Sequence, residues 1–187
     1  MIGQAGWRVR PATAADVAQI AQLHWDSWVA TYTGVFPQAA FDEYSVQARE
    51  RTWGDMVQAM AQPQNRQQLL VATRDDAVLG FAAFGPFRPA GGIEPAPADS
   101  ELWALYLQPA LQRSGIGRAL WREGCRWLRL NGFDNLRLWV IEGNERAMAF
   151  YRAMGAQPAS TNEFETHGKR LAEVCFRMAL PHETEET

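Results

Sequence analysis

The stretch from Glu101 to Leu120 constrains the fold more than any other part of the chain. Its apolar run, Leu102 to Leu107, is typical of a strand that is buried on both faces. Pro109 cannot extend such a strand, so the chain turns there, and a glycine-containing loop and a helical pattern follow. Because the first N–H groups of a helix have no partner within it, this order of elements predicts an anion site, with a pyrophosphate as its natural ligand.

Two familiar phosphate-binding loops do not match this stretch. A Walker loop ends in Gly-Lys-Ser or Gly-Lys-Thr, whereas Gly117 is followed by Arg118 and Ala119. The dinucleotide-binding fingerprint requires a third glycine where Leu120 stands. An ordinary tight turn would also explain Gly115 and Gly117, but the strand before them and the helix after them favour an anion site.

Two motifs carry a resemblance to a known family. Gln112-x-x-Gly115-x-Gly117 resembles the acetyl-CoA signature Gln/Arg-x-x-Gly-x-Gly/Ala of the GCN5-related N-acetyltransferases (GNAT). Asn144-x-x-Ala-x-x-Phe-Tyr, followed by Gly155, is similar to that family's second signature. Both motifs stand in the expected order, and the resemblance covers nearly the whole chain, so the chain is identified as a member of this family.

The resemblance implies an architecture for the whole chain. We expect a single GNAT domain over residues 1–187, with residues 181–187 as a frayed tail. The implied fold is of the α/β (α+β) class: a central, mixed, mostly antiparallel twisted sheet of about six or seven strands, with about four helices on both faces. The central strands of this sheet are expected to splay apart.

Composition excludes several classes of function. A net charge of −3 gives no electrostatic footprint for general nucleic-acid binding. Cys125 and Cys175 are too few for a disulfide framework or a four-ligand zinc site. No apolar run approaches the roughly 20 residues of a membrane span. We therefore expect a cytoplasmic protein with no metal, nucleic-acid or membrane partner; the family resemblance leaves a homodimer open.

The N-terminal half predicts helices beside one wall of the site. Thr13 to Asp16 fits a capping box, so a helix begins there, and His24 on its apolar face is interpreted as a core or pocket-lining residue. A second helical region extends from about Gln38 to Met60, with a break near Ser45. In the resembled family these helices flank the acceptor pocket, so three aromatic residues are candidates for substrate contact; the alternative is that they only fasten the helices to the sheet. They are Trp28, Tyr32 and Phe36.

The rest of the chain predicts strands, one long loop and a short helix. Residues 69–84 have the pattern of a β-hairpin, and residues 85–98 hold four prolines and three glycines, which is typical of a functional or mobile loop. We expect this loop beside the start of the central strand, where the acceptor amine enters. A strand from Leu136 to Ile141 precedes a short helix capped by Asn144, and a hairpin closes the chain.

Acetyl transfer from a thioester to an amine requires a base, a hydrogen-bond donor at the carbonyl oxygen and an acid for the departing thiolate. Neither cysteine lies in a nucleophile motif, so direct attack in a ternary complex is predicted. The resemblance points to Tyr151 as the acid and, at the start of the central strand, to Glu101 as a base that acts through a water. Phe150 is expected in the core. Other carboxylates stay open as the base: Glu94, Asp99, Glu142 and Glu163.

By the same resemblance, the backbone of Leu105 to Leu107 pairs with the pantetheine arm, the amides from Gln112 to Arg118 hold the pyrophosphate, and Asn144 binds pantetheine. The predicted cofactor residues are Leu105, Tyr106, Leu107, Gln112, Arg113, Ser114, Gly115, Ile116, Gly117, Arg118, Asn144 and Tyr151. The implied reaction acetylates a primary amine of a small molecule or a peptide. A longer acyl-CoA donor, or a non-catalytic acyl-CoA sensor, remains the alternative.

Overall fold

The computed structural model describes residues 6–181, so the predicted tail lies outside the described residues except for Pro181. Seven strands form one sheet in the order β1-β2-β3-β4-β5-β7-β6. The strands are β1 Arg8–Pro11, β2 Gln68–Arg74, β3 Ala77–Pro86, β4 Asp99–Leu107, β5 Asn135–Ile141, β6 Gln157–Thr166 and β7 Lys169–Ala179. The helices are α1 Val17–Tyr32, α2 Gln38–Glu43, α3 Val46–Met60, α4 Ile116–Leu130 and α5 Glu145–Ala153, with short 3-10 turns at Ala14–Asp16 and Pro109–Leu111.

The sheet is mixed and mostly antiparallel, as predicted. Among the described strands only β4 and β5 pair in parallel, and they do so over three residue pairs, from Asp99–Asn135 to Glu101–Arg137. Beyond that point the two strands part, which confirms the splayed centre. The β2–β3 hairpin turns at Asp75 and Asp76, whose φ angles of 46° and 65° are the left-handed values of a tight primed turn.

Helices cover both faces of the sheet. Residues of α4 and α5, such as Leu120 and Met148, pack with Phe84 and Leu136 on one face. On the opposite face α1 and α3 pack against Phe81 and its neighbours. The helix α4 lies so close to β3 that a Cβ atom at Gly124 would stand 2.1 Å from the ring of Phe84. The hydrophobic core therefore has two layers, one on each side of the sheet.

The central strand differs from its prediction in one respect. Asp99 to Leu102 are buried, but Leu105 to Leu107 are only half-buried. The expectation of burial on both faces over the whole run is therefore wrong. The cause is the departure of β5, which leaves this end of β4 beside an open cleft.

The helix starts follow the capping signals. The Asp16 carboxylate accepts hydrogen bonds from Thr13 N (2.8 Å) and Thr13 Oγ1 (2.9 Å), and it also binds both terminal nitrogens of Arg10 (2.7 and 2.8 Å). The second helical region breaks before Ser45, whose side chain accepts from Ala48 N, and this break accounts for five α-helices where about four were expected. Within residues 6–181, none of these helices is long and apolar enough to cross a membrane.

The buried Asp16 carboxylate gives a stability prediction. Hydrogen bonds from Arg10 lower the pKa of Asp16 from 3.8 to about 2. We expect Asp16→Asn to lower the free energy of unfolding at pH 7 by about 2 kcal/mol, measured by urea denaturation. Because the folded-state pKa is depressed, this contribution is present above about pH 4 and is lost as the pH falls towards 2. Equal stabilities of the two proteins at pH 7 would contradict the prediction.

Candidate active site

A cleft of about 1300 Å³ opens where β4 and β5 part. Leu102 to Leu107 of β4 form one wall, and Leu138 to Val140 of β5 form the opposite wall. Beyond Glu101, the edge of β4 that faces β5 makes no backbone hydrogen bonds with it. An extended chain of amide groups can therefore bind to this edge as an added strand does.

The predicted anion loop lies at one end of this cleft. Gly115 has φ +87° and precedes α4, and a Cβ atom there would meet nothing within 4 Å. Arg113 also has a left-handed φ, +63°, which is uncommon for a residue with a side chain. No side chain caps α4, which lies wholly in the described part of the chain. Its first N–H groups are thus free to bind an anion, and Arg113 and Arg118 add positive charge beside them.

Most of the predicted cofactor residues line the cleft, and two do not. The side chain of Ile116 is buried in the core, so only its backbone N–H can serve a ligand. The Ser114 hydroxyl donates to the Leu111 carbonyl on the exposed side of the loop. The residues that line the cleft are Leu105, Tyr106, Leu107, Gln112, Arg113, Gly115, Gly117, Arg118, Asn144 and Tyr151.

Asn144 connects the two sides of the cleft. Its Oδ1 accepts from Ala147 N (3.1 Å), which confirms the predicted cap of α5. Its Nδ2 donates to the Tyr32 hydroxyl of α1 (3.4 Å), and Tyr32 lines the cleft. Trp28 and Phe36 do not line the cleft. Their ring centroids lie 5.0 Å apart in an aromatic cluster that also contains Tyr32 and Phe41; Trp28 joins it from α1, and Phe36 from the turn that follows.

Tyr151 lies on the face of α5 that borders the cleft. Its ring packs against Trp121 and Phe150, at centroid distances of 5.6 and 5.3 Å. Burial, and then the nearby Tyr32, raise the pKa of Tyr151 above its ordinary value, so the phenol keeps its proton. Its hydroxyl makes no hydrogen bond to any residue that the structure describes. Phe150, expected in the core, is instead half-buried and lines the cleft, because this face of α5 is turned towards it.

The sequence predicts only a backbone contact for Tyr106, but its side chain also packs beside the cleft. Its ring stacks on Phe81 at 5.7 Å and lies 4.6 Å from the His24 ring. Burial, followed by the proximity of Tyr32 and Tyr151, raises the pKa of Tyr106. Burial likewise raises the pKa of Tyr32. Three neutral hydroxyl groups therefore surround the point where β4 passes α1 and α5.

Glu101 is buried at the start of β4 and does not line the cleft. Its carboxylate accepts from three donors of Arg88: the backbone N (3.0 Å), Nε (3.2 Å) and Nη2 (2.6 Å). Arg88 belongs to the predicted long loop, and Phe87 N donates to the Asp99 carbonyl, so this loop does lie beside the start of β4. Of the alternative bases, Asp99 pairs with Arg137 and is buried, whereas Glu94, Glu142 and Glu163 are exposed.

Sequence reasoning missed three residues of this region. Trp103 and Trp139 line the cleft. The alternation of side chains along β4 and along β5 was the signal that could have indicated this position. Glu173 of β7 accepts from Asn162 (3.0 Å), and its pKa is raised by burial and, less, by Glu101. Within residues 6–181 there is no cluster of three or more side chains of the types that bind metals.

Comparison with known proteins shows where this architecture occurs. The Acetyltransferase (GNAT) family model matches residues 17–156. The chain is 35% identical over 167 residues to the Uncharacterized N-acetyltransferase YuaI of Bacillus subtilis (strain 168), and the match covers 89% of each protein.

Two solved structures share the fold. One is an N-acetyltransferase from Staphylococcus aureus Mu50 (TM-score 0.72, 19% identity, 95% of this chain and 100% of that one). The other is the PaiA N-acetyltransferase from Thermoplasma acidophilum, which was solved in complex with coenzyme A (TM-score 0.68, 20% identity, 90% of this chain and 97% of that one). At these identities the likeness shows the fold alone.

The two hydrogen bonds of Asn144 can be separated by substitution. Asn144→Ala removes the cap of α5, and we expect it to lower the free energy of unfolding by about 1 kcal/mol. Asn144→Ser keeps a capping oxygen but cannot reach Tyr32, so its stability should stay within about 0.5 kcal/mol of the wild type. Urea denaturation measures both variants. An equal loss in the two would show that the contact with Tyr32, rather than the cap, carries the stabilisation.

Proposed function

The chain belongs to the acetyltransferase (GNAT) family, and from that premise we propose that it moves an acetyl group from acetyl-CoA to a primary amine by direct attack in a ternary complex. One observation carries the proposal: the cleft between β4 and β5 joins an unpaired strand edge to an uncapped helix N-terminus. The complex of the Thermoplasma acidophilum neighbour with coenzyme A supports the same choice of ligand.

The residues present fit this co-substrate. The free edge of β4 from Leu105 to Leu107 suits the two amides of a pantetheine arm, which can pair as a strand does. The N-terminus of α4 suits a pyrophosphate, because open space surrounds Gly115 and two arginines lie nearby. Bound there, acetyl-CoA would supply the activated acetyl group. The chain itself must bind acetyl-CoA, orient it, take a proton from the amine and give a proton to the departing thiolate.

We propose Tyr151 as the acid that protonates the departing thiolate. Its raised pKa keeps the phenol protonated throughout the neutral range, and its hydroxyl has no competing partner among the described residues. The packing of its ring against Trp121 and Phe150 fixes the direction of the hydroxyl. A positioned phenol can thus donate a proton to a sulfur atom held in the cleft.

For the base we propose Glu101, acting through a water on the amine. An ionised carboxylate offers about four lone-pair sites, and Arg88 occupies three of them. No described residue donates to the remaining site, so one water there can connect the carboxylate to the neighbouring cleft, which Glu101 itself does not line.

Substitution of Tyr151 tests the proposed function. We expect Tyr151→Phe to lower kcat on the order of 100-fold, because the ring stays in place and only the acid is lost. Acetyl-CoA at 100 times its Kd should still stabilise both proteins by about 2.7 kcal/mol in thermal denaturation. Unchanged turnover would remove Tyr151 as the acid. Absence of stabilisation by acetyl-CoA, longer acyl-CoAs and free CoA in the wild type would refute the proposed function.

The role of Glu101 requires a separate test with a matched control. Glu101→Gln should lower kcat/KM on the order of 100-fold at neutral pH, because the amide cannot take a proton. Asp99→Asn changes a second buried carboxylate of the same strand, one that also pairs with an arginine, and should keep activity close to that of the wild type. Full activity of Glu101→Gln, or an equal loss in both variants, would assign the Glu101–Arg88 pair a structural role instead.

A further inference from the structure

A second cavity, of about 580 Å³, lies on the α1/α3 face of the sheet. His24 of α1 and Arg49 and Trp53 of α3 contribute to its wall. Trp103 of β4 lines both this cavity and the β4–β5 cleft, so the two spaces meet at that side chain. A small molecule in the second cavity would therefore lie next to the proposed site of acetyl transfer. The volume falls within the range of small-molecule sites.

Arg49 is the unusual residue of this cavity. It is 6% exposed, and its Nε and Nη2 atoms are buried with no hydrogen-bond partner in the part of the chain that the structure describes. Its Nη1 lies 3.0 Å from the ring nitrogens of His24. Among the described residues, no carboxylate lies within ion-pair distance of it. Buried arginines normally have such a partner, because an uncompensated charge in the interior is costly.

The neighbours of Arg49 stabilise its charge without neutralising it. The guanidinium lies over the rings of Trp28 (5.0 Å) and Trp25 (5.9 Å), which is a cation–π arrangement. Trp53 Nε1 donates to His24 Nδ1 (3.3 Å), so that nitrogen is an acceptor. Burial, and then Arg49, lower the pKa of His24, so the imidazole is neutral. Burial also lowers the pKa of Arg49 itself.

The other charged groups of the cavity leave Arg49 uncompensated. Arg88 reaches the same cavity, but its charge is paired with Glu101. Asp55 lines the cavity from an exposed position on α3 and forms no ion pair with Arg49. The wall of the cavity therefore includes one guanidinium whose charge is not compensated and two of whose nitrogens lack a hydrogen-bond partner among the described residues. These are the features that a guanidinium offers to a carboxylate, which it binds with two parallel hydrogen bonds.

We propose that the second cavity binds the carboxylate of the acceptor, so that the substrate is a small amine that also carries a carboxylate, such as an amino acid. This inference rests on the proposed function, and it specifies the acceptor class for that reaction. Arg49 binds the carboxylate, and the amine extends past Trp103 towards the cleft. Deprotonation and acetylation then occur at the other end of the molecule, and Arg49 takes no part in the chemical step.

A purely structural Arg49 would behave differently from a ligand-binding one. If its role were to fasten α3 to Trp25 and Trp28, then Arg49→Met would lower the melting temperature. If its role is to bind a carboxylate, the ligand-free protein holds an unsatisfied buried cation, and the same substitution should leave the melting temperature equal or raise it. Arg51→Met, on the exposed side of the same helix, removes the same charge and serves as the control.

The substrate test compares matched acids and amides in an assay of coenzyme A release. Glycine, β-alanine, γ-aminobutyrate and the standard L-α-amino acids are each paired with the corresponding amide. We expect kcat/KM for the best acid to exceed that for its amide on the order of 10- to 100-fold. Arg49→Met should remove this preference, mainly through KM, whereas Arg49→Lys should restore part of it and Arg51→Met should behave as the wild type. Faster turnover of aminomethylphosphonate than of glycine would overturn the assignment to a carboxylate.

A binding measurement keeps the inference independent of acetyl transfer. Acetate is titrated into the protein without acetyl-CoA, and the fluorescence of the tryptophans around Arg49 is followed. A saturable change in the wild type and in Arg51→Met, absent from Arg49→Met, supports the anion site even if no amine of the panel is acetylated. No such change, or equal turnover of acids and amides while acetyl-CoA still stabilises the protein, overturns it. Failure of acetyl-CoA to stabilise the wild type counts against the proposed function alone.

Discussion

The parting of β4 and β5 is the constraint on which the rest of the site depends. Two parallel neighbours that pair over only three residue pairs leave a long strand edge without a partner. Such an edge is normally closed by another strand or by water, because backbone polar groups must be satisfied. Here α4 and α5 shield the opening on one side of the sheet and α1 on the other. The unpaired edge is thus available to the proposed co-substrate rather than to the strand of another chain.

Burial around the cleft favours neutral groups. Tyr32, Tyr106 and Tyr151 have raised pKa values because each is buried, and each of the latter two is raised further by a tyrosine neighbour. The arginines that line the cleft, Arg113 and Arg118 at the anion loop and Arg146 on α5, are exposed. The proposed proton donor therefore lies in a region of low polarity, where a hydrogen bond to sulfur is stronger than in water.

Local signals in the sequence predicted the elements and much of the site. The capping residues Thr13, Ser45 and Asn144 all lie at helix starts, because a cap depends only on residues three or four positions away. Gly115 lies in the predicted loop before α4 for the same local reason, and its φ is positive. Contacts between distant segments could not be predicted in this way. The pairing of Glu101 with Arg88, and the packing of Trp28 and Phe36 against each other, depend on how a loop and a helix pack in space.

Arg49 illustrates this limit most clearly, and it also indicates how specificity and stability oppose each other in this fold. In the sequence it is one of the two arginines of α3, and only the packing of α3 on α1 and the sheet buries it. A core selected for stability alone would place an apolar residue there, because the desolvation of an unpaired guanidinium opposes folding. The aromatic rings around it reduce that penalty but leave two of its nitrogens without a hydrogen-bond partner among the described residues. In our proposal a ligand carboxylate binds those two nitrogens, so the free energy that their burial costs the folded protein is recovered on binding.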